Sequence, residues 1–161
     1  MSDITMREDV RPNDRQKVFT LLNSSGYFLP REMAYGMGLF DEHLMHGEKS
    51  NYRFLLLERD GMLLGYGCYG PVRCSDRRYH LHWMTIDRNI QHQGLGRMLA
   101  DAIADKVRGL GGVKIFGTVS NRTYRETQAF YSSCGYKLVA ELPDYYGDGD
   151  AMVYCVKDLI S

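Results

Sequence analysis

The sequence of 161 residues lacks both a long apolar run and an excess of charge of either sign. No stretch approaches the roughly 20 apolar residues that cross a bilayer, and the N-terminal residues show no apolar core of a signal peptide. Twenty Lys and Arg residues balance twenty Asp and Glu residues, so no global positive field attracts a nucleic-acid backbone. We therefore expect a cytoplasmic protein with neither a membrane nor a nucleic acid as partner.

Cysteine is also scarce, with four residues in the whole chain. None of them forms a Cys-x-x-Cys pair or stands near a histidine at zinc-ligand spacing, which argues against a disulfide framework and against a zinc site. Repeats and linker-like segments are missing as well. A chain of this length and average composition buries a full core, so we expect a single domain over residues 1–161 and no metal.

Apolar periodicity divides the chain into seven extended and four helical segments. The extended segments are residues 4–7, 52–58, 62–72, 79–86, 113–119, 136–142 and 151–156. The helical segments end at Gly26, follow Pro30, begin near Leu95 and cover residues 124–134. The resulting order, β-α-α-β-β-β-α-β-α-β-β, predicts a mixed α/β (α+β) fold with a central sheet of about seven strands and four helices.

A glycine-punctuated loop directly precedes the most regular helix. It consists of Gln91, His92, Gln93, Gly94, Leu95, Gly96 and Arg97. Main-chain amides and the positive end of the helix dipole bind phosphate groups at such a junction. The positive charge of Arg97 is unfavourable at a helix N-terminus, which favours contact with an anion. A turn that only lets the strand and the helix pack closely is the alternative, and the absence of Gly-Lys-Ser/Thr excludes a nucleoside-triphosphate P-loop.

Together with a later helix that carries Ala129-Phe130-Tyr131 and is followed by Gly135-Tyr136, this Gln-x-x-Gly-x-Gly loop resembles the GNAT superfamily of acyl-CoA-dependent N-acyltransferases. The resemblance covers nearly the whole chain and implies the GNAT fold. It also implies that the loop amides bind the pyrophosphate of coenzyme A. The strand end before the loop would pair with the pantetheine arm through Met84, Thr85 and Ile86.

The second motif, Tyr124-x-x-Thr127-x-x-Phe130-Tyr131, is similar to the other coenzyme A motif of the superfamily. The resemblance implies that Tyr131 lies near the thioester sulfur and serves as general acid, and that Tyr124, Thr127 and Phe130 contact the cofactor. Many members carry asparagine at the position of Tyr124, so Asn121 is an alternative contact. Tyr131 alternatively positions the sulfur or belongs to the core.

Transfer to an amine also needs a base, because an amine is mostly ammonium at neutral pH. Many superfamily members place a carboxylate eleven residues before the loop glutamine. This sequence has His80 there, whose imidazole titrates near neutral pH. His82 lies two residues further on the same strand face and acts with it or relays a proton. Satisfied polar residues, or a metal pair without a third ligand, are the alternatives.

An acidic and aromatic segment, residues 143–150, separates the last two strands. It is similar to a loop of bacterial members related to ribosomal-protein N-terminal acetyltransferases, where the loop closes over the acceptor. The resemblance assigns substrate contacts to Asp144, Tyr145, Tyr146 and Asp148. Carboxylates and aromatic rings together favour a cationic amine. Turn formation alone also explains the Gly and Asp residues.

These patterns predict an N-acetyltransferase that moves the acetyl group of acetyl-CoA to a primary amine of a small molecule or peptide, by direct attack in a ternary complex. A strand amide near Met84 to Ile86 would polarise the thioester carbonyl. A non-catalytic acyl-CoA-binding module is the alternative, favoured by the missing carboxylate at His80. A nucleotide-binding domain has only the glycine loop in its support. Dimerisation is common in the superfamily, so a homodimer is compatible with the resemblance, although no interface is identifiable.

Overall fold

A computed structural model describes residues 3–160 of the chain. The strands are β1 (Thr5–Arg7), β2 (Arg53–Arg59), β3 (Met62–Pro71), β4 (Arg78–Ile86), β5 (Lys114–Ser120), β6 (Lys137–Gly147) and β7 (Asp150–Asp158). The helices are α1 (Asp14–Ser25), α2 (Pro30–His46), α3 (Leu95–Gly109) and α4 (Asn121–Ser133). This order confirms the predicted mixed α/β class.

The seven strands form one sheet in the order β1-β2-β3-β4-β5-β7-β6. β4 and β5 pair in parallel, from Arg78 opposite Lys114 to Leu81 opposite Gly117. The pairs β1–β2, β2–β3, β5–β7 and β6–β7 are antiparallel. Parallel neighbours need a crossover connection, and α3 supplies it between β4 and β5.

By internal contacts the chain forms two compact units. The first unit comprises residues up to Gly70 and Trp83–Leu99, and the second comprises Pro71–His82 and the residues from Ala100 onward. In the first unit, α1 and α2 bury Val18 and Phe40 against Phe54 of β2, as their helical spacing predicted.

A second apolar cluster of the first unit positions the start of α3. Leu95, the first residue of that helix, packs with Leu57 and Leu64 of the neighbouring strands. Ile86, at the end of β4, and Ile90 lie against the same cluster. The buried Leu95 and the partly buried Ile86 and Ile90 therefore hold both ends of the glycine loop.

In the middle of β5 and toward the end of β7, the second unit buries alternate residues. Along β5, Ile115 and Gly117 are buried whereas Phe116 and Thr118 are only partly covered. Along β7, Cys155 is buried and Tyr154 is partly covered. Because successive side chains of a strand point to opposite faces, the unit has one covered face and one partly open face.

The last two strands form a tighter hairpin than the sequence predicted. The segment expected as a loop between them belongs to β6 as far as Gly147, which pairs with Asp150. The register shifts between Leu142 and Gly147, and the Asp144 Oδ1 atom accepts a hydrogen bond of 2.8 Å from the Gly149 amide. This local bond closes the turn and lets an irregular segment continue as a strand.

Among residues 3–160 no helix combines the length and apolarity needed to cross a membrane.

Candidate functional site

The glycine loop of the first unit turns twice through the left-handed backbone region. His92 has φ +66° and Gly94 has φ +79°. A Cβ atom built on Gly94 would meet nothing within 4 Å, so the space beside it is open. The Met98 amide donates to the Gly94 carbonyl at 3.0 Å, and the first-turn amides before it have no intrahelical acceptor, as in any α-helix. Open space beside first-turn amides suits an anionic group.

The loop side chains differ in their exposure. His92, Gln93 and Arg97 are exposed and Leu95 is buried. Gly96 is partly buried. The predicted phosphate-binding segment thus turns its polar side chains to the surface and its one large apolar side chain inward. In this arrangement, main-chain groups and Arg97 are the groups that would recognise an anion.

The side chain of Gln91 has partners within the first unit. Its Nε2 atom donates to the Ile86 carbonyl at 3.4 Å, and its Oε1 atom accepts from the Tyr27 hydroxyl at 3.2 Å. Tyr27 lies between α1 and α2, 64 residues before Gln91. Gln91 therefore links the end of β4 to the α1–α2 connection, and no pattern in the sequence pointed to Tyr27.

The strand end predicted to pair with pantetheine lies close to β3. Met84 and Ile86 are partly buried and Thr85 is buried. A Cβ atom on Gly65 would lie 2.7 Å from the Thr85 carbonyl oxygen and 3.2 Å from the Ile86 Cα atom. Only glycine allows this approach of the two backbones. Gly65 is thus a second residue of this region that sequence reasoning missed.

In the second unit the two histidines of β4 form a parallel stack. The ring centroids of His80 and His82 are 5.3 Å apart and the planes differ by 12°, so both side chains share one face as predicted. Burial lowers the pKa of His80. Burial and the neighbouring charge of His80 lower the pKa of His82 to about 4. Both imidazoles are therefore neutral at pH 7, the state in which a nitrogen can accept a proton.

Tyr131 lies near the end of α4 in an aromatic and thiol cluster. Its ring centroid is 5.6 Å from those of Phe130 and of Tyr136, in both cases edge to face. Burial raises the pKa of Tyr131, and the thiols of Cys155 and Cys134 raise it further. The phenol is thus protonated at all physiological pH values, as a proton donor must be before it acts.

The histidines and Tyr131 lie on opposite faces of the second unit. His80 is opposite Phe116 in the parallel ladder, and Phe116 is opposite Val156, so these side chains share the partly open face. Cys155, one residue earlier on β7, points to the covered face, where it neighbours Tyr131.

The other residues of the second motif have internal partners. Tyr124 is buried, and its burial and the neighbouring Cys155 raise its pKa. The Thr127 hydroxyl donates to the Thr123 carbonyl at 2.9 Å. Phe130 and Asn121 are partly buried. Tyr124 therefore packs inside the protein, at the position where many superfamily members carry asparagine.

The hairpin between β6 and β7 carries the remaining predicted residues. Tyr145 and Tyr146 are exposed, and their ring centroids lie 5.0 Å apart, edge to face. Partial burial raises the pKa of Tyr146, and the neighbouring Thr118 hydroxyl lowers it. Asp148 is exposed in the turn, whereas Asp144 is engaged by the Gly149 amide. Within the described part of the chain, no group of three or more His, Cys, Asp or Glu side chains is arranged to hold a metal ion.

A seven-stranded mixed sheet in this order, with a glycine loop between β4 and α3, agrees with the fold expected of an acyl-CoA-dependent transferase. The model of the acetyltransferase (GNAT) family matches residues 16–136, more than half of the chain. The chain belongs to the GNAT family of acetyltransferases. No protein of curated function matches the sequence significantly.

Solved structures share the fold along the whole chain. A protein of Desulfovibrio desulfuricans assigned to the GNAT family is 34% identical, with a TM-score of 0.93, and the match covers 98% of this chain and 100% of that one. The yncA protein of Salmonella typhimurium, solved with its cofactor acetyl-CoA, is 18% identical, with a TM-score of 0.75 and coverage of 99% and 96%. The ribosomal-protein-S18-alanine N-acetyltransferase of Escherichia coli is 18% identical, with a TM-score of 0.76 and coverage of 99% and 96%. At 18% identity the likeness concerns the fold alone.

Proposed function

We propose that this protein is a cytoplasmic N-acetyltransferase that transfers the acetyl group of acetyl-CoA directly to a primary amine of a small molecule or peptide. The whole chain, residues 1–161, acts as one catalytic domain in this proposal. The observation that carries it is the glycine loop before α3, where Gly94 has φ +79° and open space lies beside it. The neutral imidazoles of β4 and the protonated Tyr131 phenol supply a proton acceptor and a proton donor.

The acyl donor, acetyl-CoA, fits the glycine loop of the first unit. The pyrophosphate would accept hydrogen bonds from the first-turn amides of α3, beside the open space at Gly94, and Arg97 adds a positive charge. The main chain of Met84 to Ile86 would pair with the pantetheine arm and donate a hydrogen bond to the thioester carbonyl oxygen. The GNAT family match over residues 16–136 supports this assignment.

His80 is the proposed general base, and His82 is its partner in moving the proton. The base removes one proton from the acceptor ammonium, directly or through water, and the freed nitrogen lone pair attacks the thioester carbon. An imidazole whose pKa is lowered by burial is unprotonated over the whole neutral range. It therefore accepts a proton at pH values where an unperturbed histidine is partly charged.

Tyr131 is the proposed general acid. When the tetrahedral intermediate collapses, the carbon–sulfur bond breaks and the sulfur of coenzyme A receives the phenolic proton. The attacking nitrogen loses its second proton to solvent as the amide forms, and the phenolate regains a proton from solvent, so that the two transfers balance. Because a thiolate is a good leaving group, this protonation contributes a moderate factor to the rate. Phe130, whose ring packs on Tyr131 edge to face, helps to hold the phenol in place.

Thermal unfolding with and without acetyl-CoA tests the donor. Ligand at about 100 times its dissociation constant stabilises the native state by about 2.7 kcal/mol, which raises the unfolding temperature measurably. Primary amines are then screened for acetyl-CoA-dependent release of thiol. No stabilisation at millimolar acetyl-CoA contradicts the proposal. Stabilisation by acetyl-CoA without thiol release in the presence of any amine indicates a non-catalytic acyl-CoA-binding module. The absence of a carboxylate at the position of His80 favours this alternative.

A further inference from the structure

One lysine of β7 lies on the covered face of the second unit. Strand alternation places Lys157 on the same face as Cys155, and the residue opposite it on β5 is the fully buried Ile115. Only 13% of the Lys157 side chain is exposed. A lysine is rarely covered to this degree unless its charge has a partner. Apolar packing alone therefore does not explain this ammonium group.

Three residues of the second unit surround the Lys157 side chain. Its Nζ atom lies over the ring of Tyr136, 5.9 Å from the centroid, which is within the range of a cation–π interaction. Its Cε atom passes Gly135, 3.6 Å from the place where a Cβ atom would lie. The Oδ1 atom of Asp101, on α3, is 4.0 Å from Nζ, too far for a hydrogen bond. Tyr136 and Asp101 therefore share the stabilisation of the charge.

Lys114, at the start of β5, has different surroundings. Its Nζ atom lies 2.7 Å from the Asp158 Oδ1 atom, and 36% of its side chain is exposed. An exposed pair of this kind contributes little to stability. Lys157 is more covered and its ion pair is longer, so the aromatic ring matters more to its charge. Lys114 is thus a matched control for the removal of a lysine charge from the same sheet.

The ring of Tyr136 packs in turn on Tyr131. The two ring centroids are 5.6 Å apart and the planes differ by 82°, the edge-to-face arrangement that aromatic pairs favour. The Tyr136 amide donates to the Tyr131 carbonyl at 3.0 Å. Gly135, with φ +89°, supplies the left-handed turn that ends α4 between them. The Lys157 ammonium group and the two rings therefore form a continuous series of contacts.

We propose that Lys157 is a positioning residue for Tyr131. The ammonium group limits the tilt of the Tyr136 ring, and the Tyr136 ring limits the orientation of the Tyr131 phenol toward the sulfur of coenzyme A. Proton transfer depends on the distance and angle between donor and acceptor, so a less restrained phenol donates its proton less often. This inference rests on the proposed function, in which Tyr131 is the general acid, and it gives Lys157 itself no proton to transfer.

Lys157→Met tests the role of the charge, because methionine keeps an unbranched apolar side chain and lacks the ammonium group. We expect kcat to fall about threefold and the KM for acetyl-CoA to remain unchanged. Lys157→Arg keeps a cation beside the ring and should recover part of the loss. Lys114→Met should have the kcat of the unchanged protein. Unfolding temperatures of all variants verify that each is folded.

The combination with Tyr131→Phe separates positioning from general packing. If Lys157 acts through the phenol, Lys157→Met should not lower kcat further in the Tyr131→Phe protein. An equal loss in both backgrounds would show that Lys157 only supports the structure, and would overturn the inference.

Protein with ¹³C-labelled tyrosine rings gives a readout that does not depend on activity. The ring signals of Tyr131 and Tyr136 are assigned with the Tyr131→Phe and Tyr136→Phe variants. Lys157→Met should shift both signals, and Lys114→Met should leave them in place. Unmoved signals, an unchanged kcat in Lys157→Met or no recovery in Lys157→Arg would each contradict the positioning role.

Failure of this inference differs from failure of the proposed function. If Tyr131→Phe lowers kcat and Lys157→Met does not, Lys157 has no positioning role and the proposed function stands. If Tyr131→Phe retains full turnover, the general acid assignment fails, and the positioning role fails with it. If acetyl-CoA does not bind, the proposed function fails, and the ring signals still decide whether Lys157 holds the two tyrosines.

Discussion

The glycine loop of the first unit and the partly open face of the second unit present different chemical groups. The loop offers main-chain amides beside Gly94, where a Cβ atom would meet nothing within 4 Å. The open face offers side chains, among them the stacked His80 and His82. In the proposed enzyme the loop binds the donor, which all family members share, and the face binds and deprotonates the acceptor.

This difference explains how the two regions respond to sequence change. Recognition by main-chain groups survives most substitutions, provided that the backbone conformation is unchanged. Recognition by the loop therefore depends on glycines at a few positions. Recognition by side chains changes with each substitution. We therefore expect donor binding to depend on the backbone of the first unit, and acceptor choice to depend on individual side chains of the second unit.

The largest effect is expected from Gly94→Val. Gly94 has φ +79°, which a β-branched residue adopts only with strain, and the new side chain fills the space beside the amides. We expect acetyl-CoA to bind about 100-fold more weakly, as measured by calorimetric titration. Gly109→Val is the matched control, since a Cβ atom there also meets nothing within 4 Å and its φ is not positive. Equal losses in both variants would contradict a role for the Gly94 backbone.

Tyr131→Phe should reduce kcat by about 30-fold, because the sulfur loses its proton donor. Acetyl-CoA affinity should remain as in the unchanged protein. Steady-state kinetics with an amine found in the screen, together with acetyl-CoA titration, measure the two effects separately. Tyr136→Phe removes a hydroxyl from the same aromatic cluster and should keep its turnover. A Tyr131→Phe variant that loses affinity instead of turnover would make Tyr131 a binding residue.

Removal of the base should have a smaller effect, since a primary amine retains a minor neutral fraction. We expect His80→Gln to lower kcat/KM by about tenfold and to change the acid limb of the pH profile. That limb should lie below pH 6.5, because burial lowers the pKa of His80. His46→Gln, at an exposed position of α2, is the control. An unchanged profile in His80→Gln would exclude His80 as the base.

The free energy of unfolding should depend on the protonation of His82, the imidazole next to His80, in the same acidic pH range. The pKa of His82 is about 4 in the folded protein and near 6.5 in an unfolded chain. As the pH falls from about 6.5 to about 4, the unfolded chain binds this proton first, and the free energy of unfolding decreases. His82→Gln should lose less stability over this interval than the unchanged protein, as measured by denaturant unfolding at each pH.

The smallest effect is expected from Tyr27→Phe, which removes the hydrogen bond to Gln91 and retains the ring. One neutral hydrogen bond contributes about 1 kcal/mol, and part of this appears as about threefold weaker acetyl-CoA binding. Tyr35→Phe, at an exposed position of α2, should have no effect. If the two variants behave alike, the contact between the α1–α2 connection and the loop does not contribute to donor binding.

The element order was predictable because each element carries its own local pattern. The i, i+3, i+4 stripe of α3 and the Asp60-Gly61 turn between β2 and β3 depend on neighbours in sequence. The hairpin of β6 and β7 was predicted less well. The segment that was predicted as a loop is largely strand. The hydrogen bond from the Gly149 amide to Asp144 is a specific side-chain contact, and turn propensities of single residues do not predict it.

Within the candidate site, the glycine loop and the shared face of His80 and His82 followed from short-range spacing. The roles of Tyr27 and Gly65 did not follow from such spacing. Tyr27 contacts a residue 64 positions away, and the need for glycine at position 65 comes from the backbone of β4. Contacts between residues distant in sequence leave no periodic signal, so single-sequence reasoning has nothing from which to infer them.

The sequence by itself determined the elements and the loop, because helix periodicity, strand alternation and the glycine positions are local properties of the chain. Only the tertiary structure decided the burial of the groups that titrate and the partners they have. Burial is the leading reason that the pKa values of His80 and His82 are lowered. Desolvation depends on all the atoms that pack around a group, and most of those atoms belong to residues far away in the sequence.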